Sequence, residues 1–229
     1  MQDTVDDTSF VAMVTIGQSP RVDVTSDISG ILGPDVTTIE CGALDELTRK
    51  EISAMKPSPD EHLLVSRLRD GSEVEISHEK VVSLVNDCIS KVQEKADVVV
   101  LLCTGEFKGV HADKLLIMPS DLLFRVVQSI LPRGVVGILV PSPLQFDDMR
   151  AKWKREGLEI ILESLSPYQE TDEVQIKEVA SRFTQEKADL LVLDCIGYSA
   201  TLSQTLKELT RLPTILARTI VARVVREIL

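Results

Sequence analysis

Apolar residues along this chain cluster in short runs, and the stretches between them carry a helical period. Residues 11–17 (VAMVTIG), 97–103 (DVVVLLC), 134–140 (GVVGILV) and 189–195 (DLLVLDC) are nearly unbroken apolar runs of strand length. Such runs suit strands buried on both faces. Further strands are predicted at 35–40, 158–165 and 213–217. Between 79 and 95, Val81, Val82, Leu84, Val85, Ile89 and Val92 fall at helical spacing. Helices are also predicted at 45–54, 119–132, 145–156, 171–187, 199–210 and 218–229. Ser120, next to Pro119, is the expected N-cap of the second of these. Residues 1–10 read as a polar lead-in. Strands alternating with helices imply mostly parallel sheets. One segment departs from that rule. Residues 62–78 (HLLVSRLRDGSEVEISH) hold two runs around Asp70-Gly71, the dipeptide that signals a hairpin.

The chain repeats itself once. QEKADVVVLLCTGEF at 93–107 and QEKADLLVLDCIGYS at 185–199 share their opening pentapeptide, an apolar run and a cysteine. Cys103 and Cys195 stand 92 residues apart (195 − 103), as do the two pentapeptides (185 − 93). That period exceeds the roughly 20–50 residues of solenoid repeats and suits two similar lobes. VTIGQSPR (14–21) and ILVPSPLQ (138–145) echo one another as well, each running from a strand into Ser-Pro. Their serines, Ser19 and Ser142, are 123 apart (142 − 19), so the first lobe carries an insertion, to which the hairpin contributes. The insertion suits either a lid or an oligomer contact, with a homodimer as the expected partner. Both cysteines end apolar strands, the edge at which open α/β sheets bind ligands. If the lobes face one another, the two thiols meet across a shared cleft. The turns that follow, Thr104-Gly105 and Ile196-Gly197, offer backbone N–H groups suited to a carboxylate.

Composition narrows the function. The net charge is −11, which disfavours nucleic acid and anionic membranes as partners without excluding a small anionic ligand. Aromatic residues are only 3 %, so stacking platforms for bases are lacking. No run approaches the 18–20 residues of a membrane span, and the acidic start does not resemble a signal peptide, so a cytoplasmic location is expected. Four cysteines in 229 residues are too few for a disulfide scaffold. They show no CxxC and no His at ligand spacing, so no metal is expected. Cys41 and Cys88 have no counterparts in the repeat and read as structural. His62, His78 and His111 lie outside the repeated motifs.

TIGQSPR, LLCTGEF, LDCIGYS, the PSPLQ stretch and the closing PTILARTIVAR resemble the AroM family over essentially the whole chain. That family is similar in fold to the aspartate/glutamate racemase superfamily, which includes amino-acid and hydantoin racemases, maleate isomerase and arylmalonate decarboxylase. The resemblance implies an α/β fold of two pseudo-symmetric lobes, each a mostly parallel sheet flanked by helices, with both chain ends in the first lobe. The expected division is 1–116 plus 214–229 for the first lobe and 117–213 for the second. It also implies one cysteine from each lobe in the cleft, and no cofactor. By position, Cys103 matches the first-lobe thiol and Cys195 the second, Ser19 the first-strand loop, and Thr104 the residue after the first thiol. The runs Cys103-Thr104-Gly105 and Cys195-Ile196-Gly197 depart from the Cys-Asn-Thr and Cys-Thr-His common in amino-acid racemases, which weighs against an amino-acid substrate.

The working expectation is a cofactor-independent racemase or isomerase acting on a small carboxylate-bearing molecule, with Cys103 and Cys195 as acid and base. A free thiol titrates near 8.5, and a strand-end loop is expected to lower that value. Two alternatives stand beside it: a non-catalytic binding or regulatory protein on the same fold, and a lyase or decarboxylase using one cysteine. Arg21 is a candidate fork for a substrate carboxylate. Ser19 and Ser142 either bind substrate oxygens or cap the turns at Pro20 and Pro143. Glu106 faces the cleft or is solvated. Gly105 and Gly197 supply N–H groups, and Tyr198 reaches the site or packs between lobes. Asp194 sits inside an apolar strand, on the face opposite Cys195, where a structural hydrogen bond is expected.

Overall fold

The computed structural model describes residues 8–154 and 157–229. The chain runs through β1 (Ser9–Thr15), α1 (Val22–Leu32), β2 (Val36–Gly42), α2 (Arg49–Ala54), β3 (Leu63–Arg67), β4 (Glu73–Ser77), α3 (His78–Val92) and β5 (Val98–Leu101). It continues through β6 (Leu115–Ile117), α4 (Pro119–Ile130), β7 (Gly134–Val140), α5 (Phe146–Trp153) and β8 (Leu158–Ser164). It closes with α6 (Glu173–Gln185), β9 (Leu190–Leu193), α7 (Ala200–Thr210), β10 (Thr214–Leu216) and α8 (Ala217–Ile228). The end of the helix predicted at 145–156, and most of the lead-in at 1–10, lie outside the described residues.

Two four-stranded parallel sheets form, in the orders β2-β1-β5-β6 and β10-β9-β7-β8. Read from β8, the second order repeats the first: β8 matches β2, β7 matches β1, β9 matches β5 and β10 matches β6. The internal repeat is therefore a repeat of topology. The β3–β4 pair is the antiparallel hairpin expected around Asp70-Gly71, with Gly71 at φ +92° in its turn.

Strand periodicity decides which core each residue joins. Val11, Met13, Val98 and Val100 on the first sheet, and Val136, Ile138, Leu190 and Val192 on the second, enter one continuous core. α1, α4, α5 and α8 lie in the same core through Val24, Ile28, Val127, Trp153, Val221 and Val225. The alternate residues point outward. Ala12, Val14 and Val99 meet α3 and the hairpin, and Leu139, Leu191 and Leu193 meet α6 and α7. The lobes therefore share an inner helical layer between their sheets. Each fully buried Val, Leu or Ile side chain there stabilises the fold by roughly 1.5–3 kcal/mol.

Four details differ from expectation. α1 was not indicated by the pattern, because β-branched residues and Gly30 lower its propensity; burial of Val24, Ile28 and Leu32 holds it instead. β6 is three residues long and only partly buried, too short for a pattern to show. Ser120 is not the cap of α4, since Pro119 already occupies the first helical turn and Met118 precedes it. Residues 214–216, placed in the first lobe by expectation, pair with β9 in the second sheet, and only α8 returns to pack on α1. Cys41 and Cys88 are joined by a disulfide between β2 and α3, with Cα atoms 5.7 Å apart.

Candidate active site

Cys103 and Cys195 follow β5 and β9, the equivalent strands of the two sheets, and both line one cavity of about 490 Å³. They are the free cysteines among the described residues. The strand ends that carry them are tied together directly: the Thr104 hydroxyl donates to the Asp194 carbonyl at 3.0 Å. The repeat also recurs in the sulfur contacts. Gly105 N–H donates to Cys103 Sγ at 3.4 Å, and Gly197 N–H donates to Cys195 Sγ at 3.3 Å. Both glycines sit close to neighbouring side chains, Gly197 the more tightly. A Cβ on Gly197 would stand 2.4 Å from the Tyr168 hydroxyl, and one on Gly105 would stand 2.8 Å from Leu64 Cδ2.

Beneath the thiols lies a buried polar knot. Lys152 Nζ donates to both Asp194 carboxylate oxygens, at 3.0 and 2.7 Å, and to the Thr104 carbonyl at 2.8 Å. Trp153 Nε1 donates to Asp194 Oδ2 at 2.7 Å. Asp194 faces the inner layer because it keeps the alternation of Leu190 and Val192, while Cys195 keeps that of Leu191 and Leu193. The acid inside an apolar strand thus has the structural partners expected of it. An ion pair this deeply buried is costly to break from one side.

The Cys195 loop is held from behind by Arg218 of α8. Its guanidinium donates to the carbonyls of Ile196 (2.9 Å) and Gly197 (2.7 Å), and across to Asp23 O and Asp27 Oδ2 (both 2.8 Å). Tyr168, in the loop after β8, accepts from Arg21 at 3.1 Å and lines the same cavity as Cys195. Burial holds the Tyr168 phenol above its ordinary range, so it stays protonated as a donor.

The candidate residues divide. Cys103, Thr104, Gly105, Glu106 and Cys195 line the cavity. Arg21 does not: its Nε and Nη2 are held by Asp23 at 3.0 and 2.8 Å and its Nη1 by Thr15, so the expected carboxylate fork is engaged inside the protein. Its influence reaches the site through Tyr168 and through its charge, which favours a Cys195 thiolate. Ser19 is bound by Asp45 through both its amide and its hydroxyl, away from the cavity. Ser142 caps the short turn 143–145, accepting from Leu144 N–H at 3.3 Å. Tyr198 packs in the second-lobe core, its hydroxyl donating to the Leu165 carbonyl at 2.8 Å. Gly197 contributes its N–H to Cys195 and lies behind the cavity wall. The expected lowering of the thiols is reversed. Burial pushes Cys103 up to about 12, against the Gly105 N–H, and Cys195 up to about 11, against the Gly197 N–H and Arg21.

Sequence reasoning missed the outer wall. His62, Leu63, Leu64, Val65 and Ser66 of the hairpin, then His78 and Glu79, close the cavity from the first lobe, and Gln145, Asp148, Met149 and Tyr168 close it from the second. The hairpin reaches across the lobes: Gln145 Nε2 donates to Leu63 O, and Glu73 receives Ser166 and Gln169. Its close passage over the first sheet needs Gly17, where a Cβ would lie 2.4 Å from Arg67 O. Among the described residues there is no cluster of His, Cys, Asp and Glu suited to a metal ion, and no helix is long and apolar enough to cross a membrane.

Two pseudo-symmetric α/β lobes, each built on a four-stranded parallel sheet, give the chain a racemase-like fold. The AroM protein family model matches residues 11–229, and the chain belongs to that family. Its fold is similar to that of a maleate cis-trans isomerase from Nocardia farcinica (15 % identity, 96 % of this chain and 91 % of that one, TM-score 0.64). An arylmalonate decarboxylase is similar as well (14 %, 96 % and 93 %, 0.61), as is a glutamate racemase isoform from Bacillus anthracis (16 %, 96 % and 81 %, 0.61). The Nocardia isomerase is also known as a cysteine-to-serine mutant with a covalently bound succinylcysteine intermediate (16 %, 96 % and 92 %, 0.63). No curated protein sequence is significantly similar to the chain.

Proposed function

We propose that this protein is a cofactor-independent isomerase or racemase acting on a small carboxylate-bearing molecule, with Cys103 and Cys195 as its reacting pair. The observation that carries the reading is the placement of both thiols on one cavity, from equivalent strand ends and with matching N–H···S contacts. Cys195 is the better placed thiolate, because the positive charge of Arg21 adds to the Gly197 N–H in favouring its ionised form. As base, its sulfur takes the proton beside the carboxylate, and the Cys103 thiol returns one to the opposite face, leaving Cys103 as the thiolate. For a substrate with a double bond, the same Cys195 thiolate adds to carbon instead, the step in keeping with the intermediate of the Nocardia relative. Lys108, exposed on the cavity rim, offers positive charge to the incoming carboxylate.

The test is deuterium incorporation next to the carboxylate, followed by NMR over a panel of small acids in D₂O, for wild type and for Cys103→Ser and Cys195→Ser. Exchange by the wild type, reduced at least about 100-fold in each variant, supports the pair. Undiminished exchange in both variants overturns it. A large loss in Cys195→Ser alone transfers the reading to the one-cysteine lyase or decarboxylase.

A further inference from the structure

Three buried polar atoms among the described residues have no hydrogen-bond partner in the protein: Ser66 Oγ, His78 Nε2 and Gln145 Oε1. All three belong to residues lining the cavity that holds the cysteines, yet none is near them in sequence. Ser66 Oγ lies against Gly17, whereas a buried polar atom left unpaired is costly, so the two at His78 and Gln145 need an explanation.

These two stand at one end of β3. The His78 backbone N–H donates to His62 O at 3.0 Å, and Gln145 side-chain Nε2 donates to Leu63 O at 3.2 Å, so the His78 backbone and the Gln145 side chain are both anchored beside the start of the strand. The Gln145 bond also fixes which amide atom is free. The NH₂ must face the Leu63 carbonyl, so the unpaired atom is the oxygen, a pure acceptor. Gln145 is only 8 % exposed. His78 is held by ring contact with Phe107, centroids 5.0 Å apart. Around the pair the wall is mixed: Leu63, Val82 and Met149 are aliphatic, while His62, 6.2 Å from His78 between ring centroids, and Glu79 and Asp148 are polar.

We infer that Gln145 and His78, whose Nδ1 faces Glu79 at 3.7 Å and so carries the ring proton while Nε2 accepts, form a specificity subsite that receives a hydrogen-bond-donating group, a hydroxyl or an amino group, on a ligand with an aliphatic body. The inference rests on the reading of this cleft as a carboxylate site, and it names what else the ligand carries. An acceptor oxygen with no partner selects for O–H or N–H and against a methyl in the same place, because the methyl leaves the oxygen buried and unpaired. At about 490 Å³ the cavity holds more than a minimal diacid, and the aliphatic part of its wall suits a branched chain.

The experiment is calorimetric titration of the whole protein with 2-hydroxy-4-methylpentanoate, 2-amino-4-methylpentanoate, 2,4-dimethylpentanoate, and 4-methylpentanoate with its methyl ester. The hydroxy or the amino acid should bind about tenfold or more tightly than the dimethyl analogue, and which of the two leads distinguishes O–H from N–H. Gln145→Met and His78→Phe, which keep volume and ring contact, should each shrink that ratio to within about threefold while the dimethyl analogue binds as before. Equal binding of the hydroxy, amino and dimethyl acids to wild type overturns the subsite, whether or not either variant folds. The ester tests the underlying reading separately. Acid and ester binding alike, with donor preference intact, defeats the carboxylate site and leaves the subsite standing. No binding by any of the five overturns both.

Discussion

At the scale of single residues, the site sets thiol chemistry against burial. Each sulfur receives one N–H, from Gly105 or Gly197, yet burial outweighs it and holds both thiols protonated at neutral pH. Iodoacetamide should therefore label Cys103 and Cys195 more slowly than a free thiol at pH 7. The rate should climb about tenfold per pH unit toward 11, as read by mass spectrometry of the alkylated peptides. A plateau below pH 8 would contradict the burial argument. Stability follows the same linkage. Both thiols hold their protons to higher pH in the folded chain than in the unfolded one. Their contribution is therefore complete below about pH 9 and is lost as pH rises through 11 to 12. The cysteines were legible in the sequence because a repeat marks them. Tyr168 was not: it lies in the loop 165–171, with no repeat partner and no periodic signal, and only the fold carries it to the cavity wall.

Among the elements, α5 and the hairpin set the site's floor and wall. α5 delivers Lys152 and Trp153 to Asp194 at the end of β9, and Thr104 joins the same knot from the end of β5. Lys152→Met should lower unfolding free energy by about 3–5 kcal/mol in urea denaturation, because the buried Asp194 charge loses its countercharge and keeps only the Trp153 N–H. A loss below 1 kcal/mol would show that the pair is not buried in solution. The hairpin is fastened at its start by His62, whose Nδ1 lies 2.7 Å from Glu79 and whose Nε2 lies 3.8 Å from Asp148 in the second lobe. The Glu79 hydrogen bond, then the Asp148 charge, raise the His62 pKa above its ordinary value. A raised pKa in the folded state means the attraction is complete below the ordinary histidine range and is lost as pH rises through the raised value. Hydrogen exchange of the β3 amides, corrected for intrinsic rates, should therefore quicken above that pH, and His62→Gln should quicken it at low pH and abolish the dependence. The hairpin itself could be read from Asp70-Gly71 and its flanking runs; its role as a cavity wall could not, because that depends on contacts between residues 82 and 93 positions apart, Gln145 to Leu63 and Ser166 to Glu73.

On the scale of the whole molecule, the two lobes are not separate folding units. Residues of both sheets enter one core through α1, α4, α5 and α8, and Arg218 fastens the Cys195 loop of one lobe to α1 of the other. Thermal unfolding by calorimetry should show a single transition whose calorimetric and van't Hoff enthalpies agree. Two resolved transitions would show that the inner layer does not couple the lobes.

The sequence by itself determined the two-lobed α/β class, most of the strands and helices, the hairpin and the paired cysteines, because periodicity and an internal repeat are local properties of the chain. Tertiary structure decided the rest. It took Arg21, Ser19, Ser142 and Tyr198 for internal bonds, placed β10 with the second sheet, and brought His78, Gln145 and Tyr168 to the cavity. These outcomes depend on which donor meets which acceptor after distant segments pack. A buried polar group takes the partner that packing supplies, and no spacing along the chain encodes that choice.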